Sequence, residues 1–309
     1  ISRSSSLLIP TLVCMSLLAA CQDGPPRDDA ARGDEPVAGG TAVVAIPDEP
    51  DVLNSLVRTS AVAGMVLSLL ETALVELNPQ QVWEPRIATR WEVSADSLAI
   101  TYHLRSWSWE DGEPLTAEDV RLSWELLVDP RIGSPRRDLL RDVTDVTVLD
   151  PATVRYHFRR PVADPVQTTF HAILPAHRVA SLDRTDLGGW PVNRRPLASG
   201  PFRLASWAPG QELVLERNPE YPLASAYLDR AILRIMPDAT ARIIALEAGD
   251  IDVVTEVSAS AARRLDASDR VHLHEISGRV FGFLLWNLRR PELADPRVRR
   301  ALSLAIDRR

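Results

Sequence analysis

The chain has 309 residues, of which 45% are apolar and 25% are charged, so it can bury a core and is long enough for one large or two ordinary domains. The formal net charge of −7 disfavours a nucleic-acid partner, because phosphate binding requires a basic surface. All 35 basic residues are arginine, so the chain lacks the lysine that a Walker A loop, a Schiff base or a Ser–Lys dyad requires.

The first 21 residues have the pattern of a secretory leader. Arg3 precedes the mainly apolar run Leu7–Ala20, which is shorter than the roughly 20 residues that a membrane-spanning helix needs. The run ends in Leu18-Ala19-Ala20-Cys21, which resembles the lipobox of bacterial lipoproteins. Residues 1–21 are therefore predicted to be a lipoprotein signal peptide with lipidation at Cys21. An ordinary signal peptide with an incidental cysteine is the alternative.

Residues 22–39 are predicted to be a flexible tether, because they are rich in Pro, Gly, Asp and Ala and show no apolar periodicity. The only cysteines, Cys14 and Cys21, lie before this segment. The body that follows therefore has no cysteine for a disulfide, for thiol chemistry or for a zinc site.

Apolar periodicity predicts interspersed helices and strands in the body, which indicates a mixed α/β or α+β class. Thr116 and Asp119 form a capping-box pattern, Asp238 and Gly249 bound a helix, and Asp295 precedes a last helix. The predicted helices are 61–77, one beginning at Thr116, 239–248 and one beginning at Pro296. The predicted strands are 41–46, 98–104, 143–148, 154–158, 202–207, 213–217, 231–236, 251–254, 271–276 and 280–288.

Several stretches, in this order, resemble the large solute-binding proteins of bacterial ABC importers for peptides and nickel, family 5. The most distinctive is Trp109-Glu110-Asp111-Gly112-Glu113-Pro114-Leu115-Thr116-Ala117-Glu118-Asp119-Val120. The others include Pro50-Asp51-Val52-Leu53-Asn54, Ser199-Gly200-Pro201-Phe202, Leu215-Glu216-Arg217-Asn218-Pro219, Leu246-Glu247-Ala248-Gly249-Asp250-Ile251-Asp252 and Asp295-Pro296-Arg297-Val298-Arg299-Arg300-Ala301. The resemblance covers about residues 39–309.

This resemblance implies an α/β (mixed α+β) fold of the periplasmic-binding-protein type II-like kind, with two lobes and an accessory domain. Domain I is expected to comprise residues 40–60 and 177–277, and accessory domain II residues 61–176. Residues 278–309 are expected to begin domain III. Family members are longer, so the chain is expected to be C-terminally truncated, with the second lobe largely missing.

The resemblance also implies a function: a lipid-anchored, extracytoplasmic component of an ABC importer that captures peptides and delivers them to a permease and its ATPase subunits. It implies a monomer without a cofactor and without enzymatic activity. Nickel chelates or other small solutes are alternatives on the same scaffold. A non-transport envelope receptor, an envelope hydrolase and the nonfunctional product of a broken gene also remain open.

Two matched places are expected to contribute to the solute site, where aromatic side chains can stack on a ligand. The residues are Arg58, Thr59 and Ser60 after the first strand, and Arg279, Phe281 and Phe283 at the crossing into domain III. Ordinary packing or a solvated loop is the competing interpretation for each. His272 and His274 lie two apart on a predicted strand, but a metal site needs more ligands, so a polar strand face is the preferred interpretation.

Overall fold

A computed structural model describes residues 37–307 except 79, 224–225, 269 and 275–282. The chain divides into two compact units between Thr255 and Glu256. The strands are β1 (Thr41–Ile46), β2 (Val75–Leu77), β3 (Trp83–Pro85), β4 (Ala88–Val93), β5 (Ala99–Leu104), β6 (Val143–Asp150), β7 (Thr153–Phe158), β8 (Phe202–Ala208), β9 (Glu212–Arg217), β10 (Arg230–Ile235) and β11 (Val253–Val254). The helices are α1 (Ala61–Leu70), α2 (Ala117–Val128), α3 (Pro165–Thr168), α4 (Ala176–Val179), α5 (Ala239–Ala248), α6 (Ala259–Leu265), α7 (Pro291–Ala294) and α8 (Pro296–Leu304).

The first unit contains a five-stranded mixed sheet in the order β11-β1-β10-β9-β8. Strand β1 runs parallel to both of its neighbours, with Val44 opposite Val253 on one side and Leu233 on the other. Strands β10, β9 and β8 pair antiparallel. Helix α1 packs its apolar face, which includes Val66 and Leu70, into the same core as Leu233 and the apolar residues of β8 and β9.

The first unit also contains a four-stranded antiparallel sheet in the order β4-β5-β7-β6. Tyr102 of β5 and Tyr156 of β7 are fully buried and meet edge to face, with ring centroids 5.9 Å apart. Helix α2 covers this sheet with Val120 and Leu126, which belong to the same core. A small β2–β3 ribbon completes the described strands of this unit.

Local capping residues set the helix ends, as the sequence predicts. Thr116 and Asp119 form the full capping box of α2. The Asp238 carboxylate caps α5, and Gly249 ends that helix in the left-handed conformation at φ 81°. The Asp295 side chain accepts a hydrogen bond from the backbone of Arg297 at the start of α8.

Three predicted elements are wrong in extent or type. The helix predicted over 61–77 ends at Leu70, and 75–77 form strand β2 instead. The backbone N–H groups of Ser199 and Gly200 donate to the Leu70 carbonyl at 2.9 and 2.8 Å, where a continuing helix would need that acceptor. The strands predicted over 271–276 and 280–288 are not formed at their described residues, 271–274 and 283–288.

Among the described residues, no helix combines the length and the hydropathy needed to cross a membrane.

Candidate functional site

The loop between β1 and α1 is shaped by Asp51. Its Oδ2 atom accepts hydrogen bonds from the Thr59 backbone at 2.9 Å, the Thr59 hydroxyl at 2.8 Å and the Ser60 backbone at 3.2 Å. Burial raises the pKa of Asp51, but these hydrogen bonds and one from Val52 outweigh it, so the pKa lies below its usual value. The Ser60 hydroxyl in turn caps α1 by accepting from Ala63. Thr59 and Ser60 therefore hold the loop in place.

Arg58, from the same loop, faces a cavity of about 290 Å³ that lies beside α1. We call it the α1 cavity. The Arg58 guanidinium lies close to Gly64: a Cβ atom at position 64 would be 2.6 Å from the Nη1 atom of Arg58. The Nε atom of Arg58 is buried and has no hydrogen-bond partner in the described part of the chain. The lack of a side chain at Gly64 thus leaves room for the Arg58 guanidinium, whose Nε atom has no hydrogen-bond partner among the described residues.

Glu71 closes one end of the α1 cavity, immediately after the last residue of α1. Ser55 donates a hydrogen bond to its Oε2 atom. Burial raises the pKa of Glu71 to about 7, and the Ser55 hydrogen bond and the charges of Arg58 and Arg136 offset only part of that rise. The carboxyl group therefore changes charge near neutral pH.

Arg136, from the loop after α2, also faces the α1 cavity. Burial and the like charge of Arg58 lower its pKa, while Glu71 acts in the opposite direction. The neighbouring pair of Arg86 and Glu76, in the same wall, is joined in an ion pair.

The adjacent wall contains a buried histidine in a defined tautomer. The His171 Nδ1 atom lies 2.9 Å from the Ala172 carbonyl, so Nδ1 carries the proton and donates it. Nε2 then accepts from the Tyr156 hydroxyl at 2.8 Å. Burial lowers the pKa of His171 to about 4, so the ring is neutral at pH 7.

Aromatic side chains form the apolar part of the α1 cavity. Phe170 is 41% exposed and packs on Trp83 with ring centroids 5.4 Å apart. Tyr221 meets Trp107 edge to face, also at 5.4 Å. The α1 cavity therefore offers cationic groups, one titratable acid and aromatic surface to a small solute.

A larger cavity of about 930 Å³ lies elsewhere in the first unit, between the 110–111 segment and strands β8 and β9. Most of its charged groups are paired: Asp111 with Arg178 at 2.9 Å, and Arg203 with Glu216 at 3.6 Å. Within the described residues, no group of three or more His, Cys, Asp or Glu side chains is arranged to hold a metal ion.

Of the seven residues predicted from the sequence, six for solute binding and Cys21 for lipidation, the structure describes four. Arg58 lines the α1 cavity, and Thr59 and Ser60 adjoin it in the loop that Asp51 holds. Phe283 lies in the second unit and is 67% exposed. The predictions for Cys21, Arg279 and Phe281 lie outside the described residues.

Sequence reasoning missed Glu71 and Arg136. The predicted helix 61–77 contains Glu71, so the sequence pattern does not indicate that this residue lies at a helix end. Arg136 lies between elements, in Ser134-Pro135-Arg136-Arg137, where no periodicity indicates a direction. The local signal available for Glu71 is an acid that interrupts the apolar pattern of α1.

The fold defines the class of protein: it matches solved structures of extracytoplasmic solute-binding proteins. The structure of MoaA in complex with mannopinic acid, from A. tumefaciens R10, matches with a TM-score of 0.74 and 27% identity, over 88% of this chain and 56% of that chain. NikZ from Campylobacter jejuni, in complex with Ni(L-His), matches in fold with a TM-score of 0.74 at 23% identity, over 86% of this chain and 53% of that chain.

Residues 82–309 match the family "Bacterial extracellular solute-binding proteins, family 5 Middle". The chain belongs to this family of solute-binding proteins. Among curated relatives, the oligopeptide-binding protein AppA of Bacillus subtilis (strain 168) is 26% identical over 317 residues, which cover 99% of this chain and 58% of AppA. The chain spans about half the length of the curated relatives it matches.

Proposed function

We propose that the full-length protein is the lipid-anchored solute-binding component of an ABC importer, which captures peptides and delivers them to a membrane permease. The observation that carries the proposal is the family match over residues 82–309. A relative that covers nearly the whole chain is named an oligopeptide-binding protein. In this mechanism the solute stabilises a closed form of two lobes, and the permease recognises that form.

The α1 cavity is the proposed part of the solute site that the first unit contributes. Arg58 provides a cation, Phe170 and Tyr221 provide stacking surface, and the loop that carries Arg58 is held by Asp51. Peptide-binding proteins of this kind pair with the peptide backbone and leave its side chains in tolerant pockets. Arg279, Phe281 and Phe283 stay predictions of solute-binding residues.

A second candidate solute class is a small non-peptide compound. The structural neighbours include proteins in complex with Ni(L-His) and with mannopinic acid. These complexes belong to those proteins, and they support small acids and metal chelates as alternative solutes for this one.

The proposed organisation has domain I in 40–60 and 177–277, the accessory domain in 61–176 and domain III from 278 onward. Helix α1 shares the core of the five-stranded sheet. This packing supports placing the boundary between domain I and the accessory domain after Leu70, and not before Ala61. The second compact unit begins at Glu256, which supports a start of domain III before residue 278. We propose that the whole protein is a monomer.

Native mass spectrometry of the full-length protein, purified without denaturation, tests the function. A series of bound masses that fragment as short peptides is expected. One small bound mass identifies a dedicated small solute instead. Protein that stays empty after incubation with a peptide mixture and with cell extract contradicts the proposal.

Lipidation is tested separately with Cys21→Ala. The wild type is expected to partition into detergent with an added acyl mass on Cys21, because several acyl chains give stable anchoring. The variant is expected to stay in the aqueous phase. A wild-type protein cleaved without an acyl mass contradicts lipidation and leaves the solute-binding proposal intact.

A further inference from the structure

The α1 cavity contains two arginines that lack contact partners. Arg58 and Arg136 both line it, and neither side chain makes a hydrogen bond or a contact ion pair within the described portion of the chain. Arg86, in the same wall, is paired with Glu76. Both side chains are half-buried, and a charge that is partly removed from water is costly unless it is paired. This arrangement therefore favours an anion that comes from outside the protein.

Glu71 is the acid whose charge acts on both arginines. Ser55 donates to one of its oxygens, so Glu71 is held at one end of the α1 cavity. The other charged and titratable groups around these residues are His171, which is buried and neutral, Tyr221, and the paired Glu76 and Arg86. Glu71 is therefore the group in this set that can adjust the charge of the α1 cavity near neutral pH.

We infer that the α1 cavity binds the carboxylate of a small organic solute between Arg58 and Arg136, and that Glu71 takes up a proton from solvent as the carboxylate binds. This inference rests on the proposed function, because it names the chemistry of the solute. Two guanidinium groups and an ionised Glu71 carry a net charge of +1. Protonation of Glu71 raises that to +2, and the bound carboxylate returns it to +1. The α1 cavity has a volume of about 290 Å³ and includes the surfaces of Phe170 and Tyr221, so it suits a compact, partly aromatic solute.

The pH dependence has a definite sign. Burial raises the pKa of Glu71 to about 7, so below pH 7 the carboxyl group is neutral and both arginines are free for the solute. Above pH 7 the ionised Glu71 competes with the solute carboxylate. Affinity is therefore highest below pH 7 and falls by up to about tenfold per pH unit above it, the limit for one linked proton.

Isothermal titration calorimetry of the full-length protein with matched probes tests the inference. The first pair is 3-phenylpropionate and its uncharged amide. The second pair is the tripeptide glycyl-glycyl-phenylalanine and its C-terminal amide. Titrations in Tris and in triethanolamine, two cationic buffers that buffer near pH 8 and do not compete as anions, measure proton uptake from the difference in observed enthalpy.

We expect a carboxylate to bind at least about tenfold more tightly than its amide, because charge-assisted hydrogen bonds are lost in the amide. Preference in the first pair alone identifies a free acid as the solute, and preference in the second pair identifies the end of a peptide. About one proton should be taken up per carboxylate bound near pH 8.

Three variants test the roles of individual residues. Glu71→Gln is expected to remove proton uptake and to flatten the dependence of Kd on pH, since the site then carries +2 throughout. Arg136→Gln is expected to remove the preference for carboxylate over amide. Arg137→Gln, at the exposed neighbouring position, is the matched control and should change neither.

Gly64→Ala tests the geometry without removing a charge. The added Cβ would lie 2.6 Å from the Arg58 guanidinium and must displace it, so carboxylate affinity should fall about tenfold while the protein stays folded. In an Arg58→Gln background the same change should have no further effect on affinity.

The inference is overturned if both amides bind as tightly as both carboxylates, or if Glu71→Gln leaves the pH slope and the proton uptake unchanged. In that case peptides or another solute bound in native mass spectrometry would leave the proposed function standing. Empty wild-type protein in that experiment would contradict the proposed function itself.

Discussion

At the scale of single residues, Glu71 and His171 are two titratable groups whose pKa values burial shifts in favour of the neutral form. Burial raises the pKa of Glu71 to about 7 and lowers that of His171 to about 4. An exposed Glu titrates near 4.3 and an exposed His near 6.5. The two groups therefore act on stability over overlapping pH ranges but in opposite directions. His171 lowers the free energy of unfolding as pH falls from about 6.5 to 4, because the unfolded chain binds the extra proton.

Glu71 acts in the opposite direction, and Glu71→Gln measures its effect. Between about pH 4.5 and 7 the folded protein keeps a proton on Glu71 that the unfolded chain releases, so stability falls as pH rises and stays lower above pH 7. Gln can still accept the Ser55 hydrogen bond. We expect the variant to match the wild type at pH 4.5 and to be more stable by about 2 kcal/mol at pH 8.

Thermal unfolding of the unliganded protein across this pH range checks the expectation. The difference in Tm between variant and wild type should grow steadily from pH 4.5 to 7. A difference that is constant with pH would show that Glu71 titrates normally in the folded protein.

At the scale of elements, Asp119 joins two helices. One carboxylate oxygen accepts from the Thr116 backbone at 2.7 Å to cap α2, and the other accepts from the Ala176 backbone at 2.8 Å at the start of α4. The side chain is only 3% exposed, so water cannot replace it. Asp119→Ala should lower the free energy of unfolding by roughly 2–4 kcal/mol, because two part-buried N–H groups lose their acceptor.

Urea denaturation of Asp119→Ala measures this loss. Glu118→Ala is the control from the same helical turn, since Glu118 is exposed and its ion pair with Arg121 is on the surface. The control should lose less than about 0.5 kcal/mol. Equal losses in the two variants would argue against a joint cap.

The contact between Gly200 and the end of α1 makes a second prediction at this scale. A Cβ atom on Gly200 would lie 2.8 Å from the Leu69 carbonyl oxygen and from the Leu70 carbonyl carbon, both of which are backbone atoms that cannot rotate away. Gly200→Ala should therefore destabilise the protein by about 2 kcal/mol or more. Gly188→Ala, whose Cβ would meet its nearest atom at 3.8 Å, should be close to neutral. Differential scanning calorimetry of both variants measures the two losses of stability. A Gly200→Ala protein as stable as the control would disprove the close approach of Gly200 to the end of α1.

At the scale of the whole molecule, helix α8 presents an apolar stripe to solvent in the described structure. Val298 and Leu302 of α8, and Ile306 two residues after its end, are each about 40% exposed. The curated relatives are about twice as long as the part that this chain matches, and we propose that in a protein of that length further chain covers this stripe. Burying such side chains contributes about 25 cal/mol per Å² of apolar surface.

Cysteine labelling tests whether the stripe is covered. Residues 22–309 contain no cysteine, so a single introduced thiol in this region can be followed by its modification rate. In the full-length protein, Leu302→Cys should react at least about tenfold more slowly than Arg300→Cys on the exposed face of the same helix. Similar rates at the two positions would show that the stripe faces solvent in the complete protein.

The local elements of this protein were readable from the sequence because their signals lie within a few residues. Thr116 and Asp119 are three positions apart, and Asp238 and Gly249 bracket one helix, so their caps form within each helix. The family was readable for a similar reason: its motifs are continuous segments, above all 109–120. The wrong strands at 271–274 and 283–288 show the limit of periodicity, since a strand also needs a partner elsewhere in the chain.

The class, the family and most helix and strand positions follow from local patterns in the sequence, whereas packing between distant segments sets the end of α1 and the content of the α1 cavity. Helix α1 stops at Leu70 because Ser199 and Gly200, far along the chain, occupy its last carbonyl. Arg58, Glu71 and Arg136 come from three separate segments. Their charges interact only because packing brings those segments together, and burial then sets the pKa of Glu71, which no local pattern encodes.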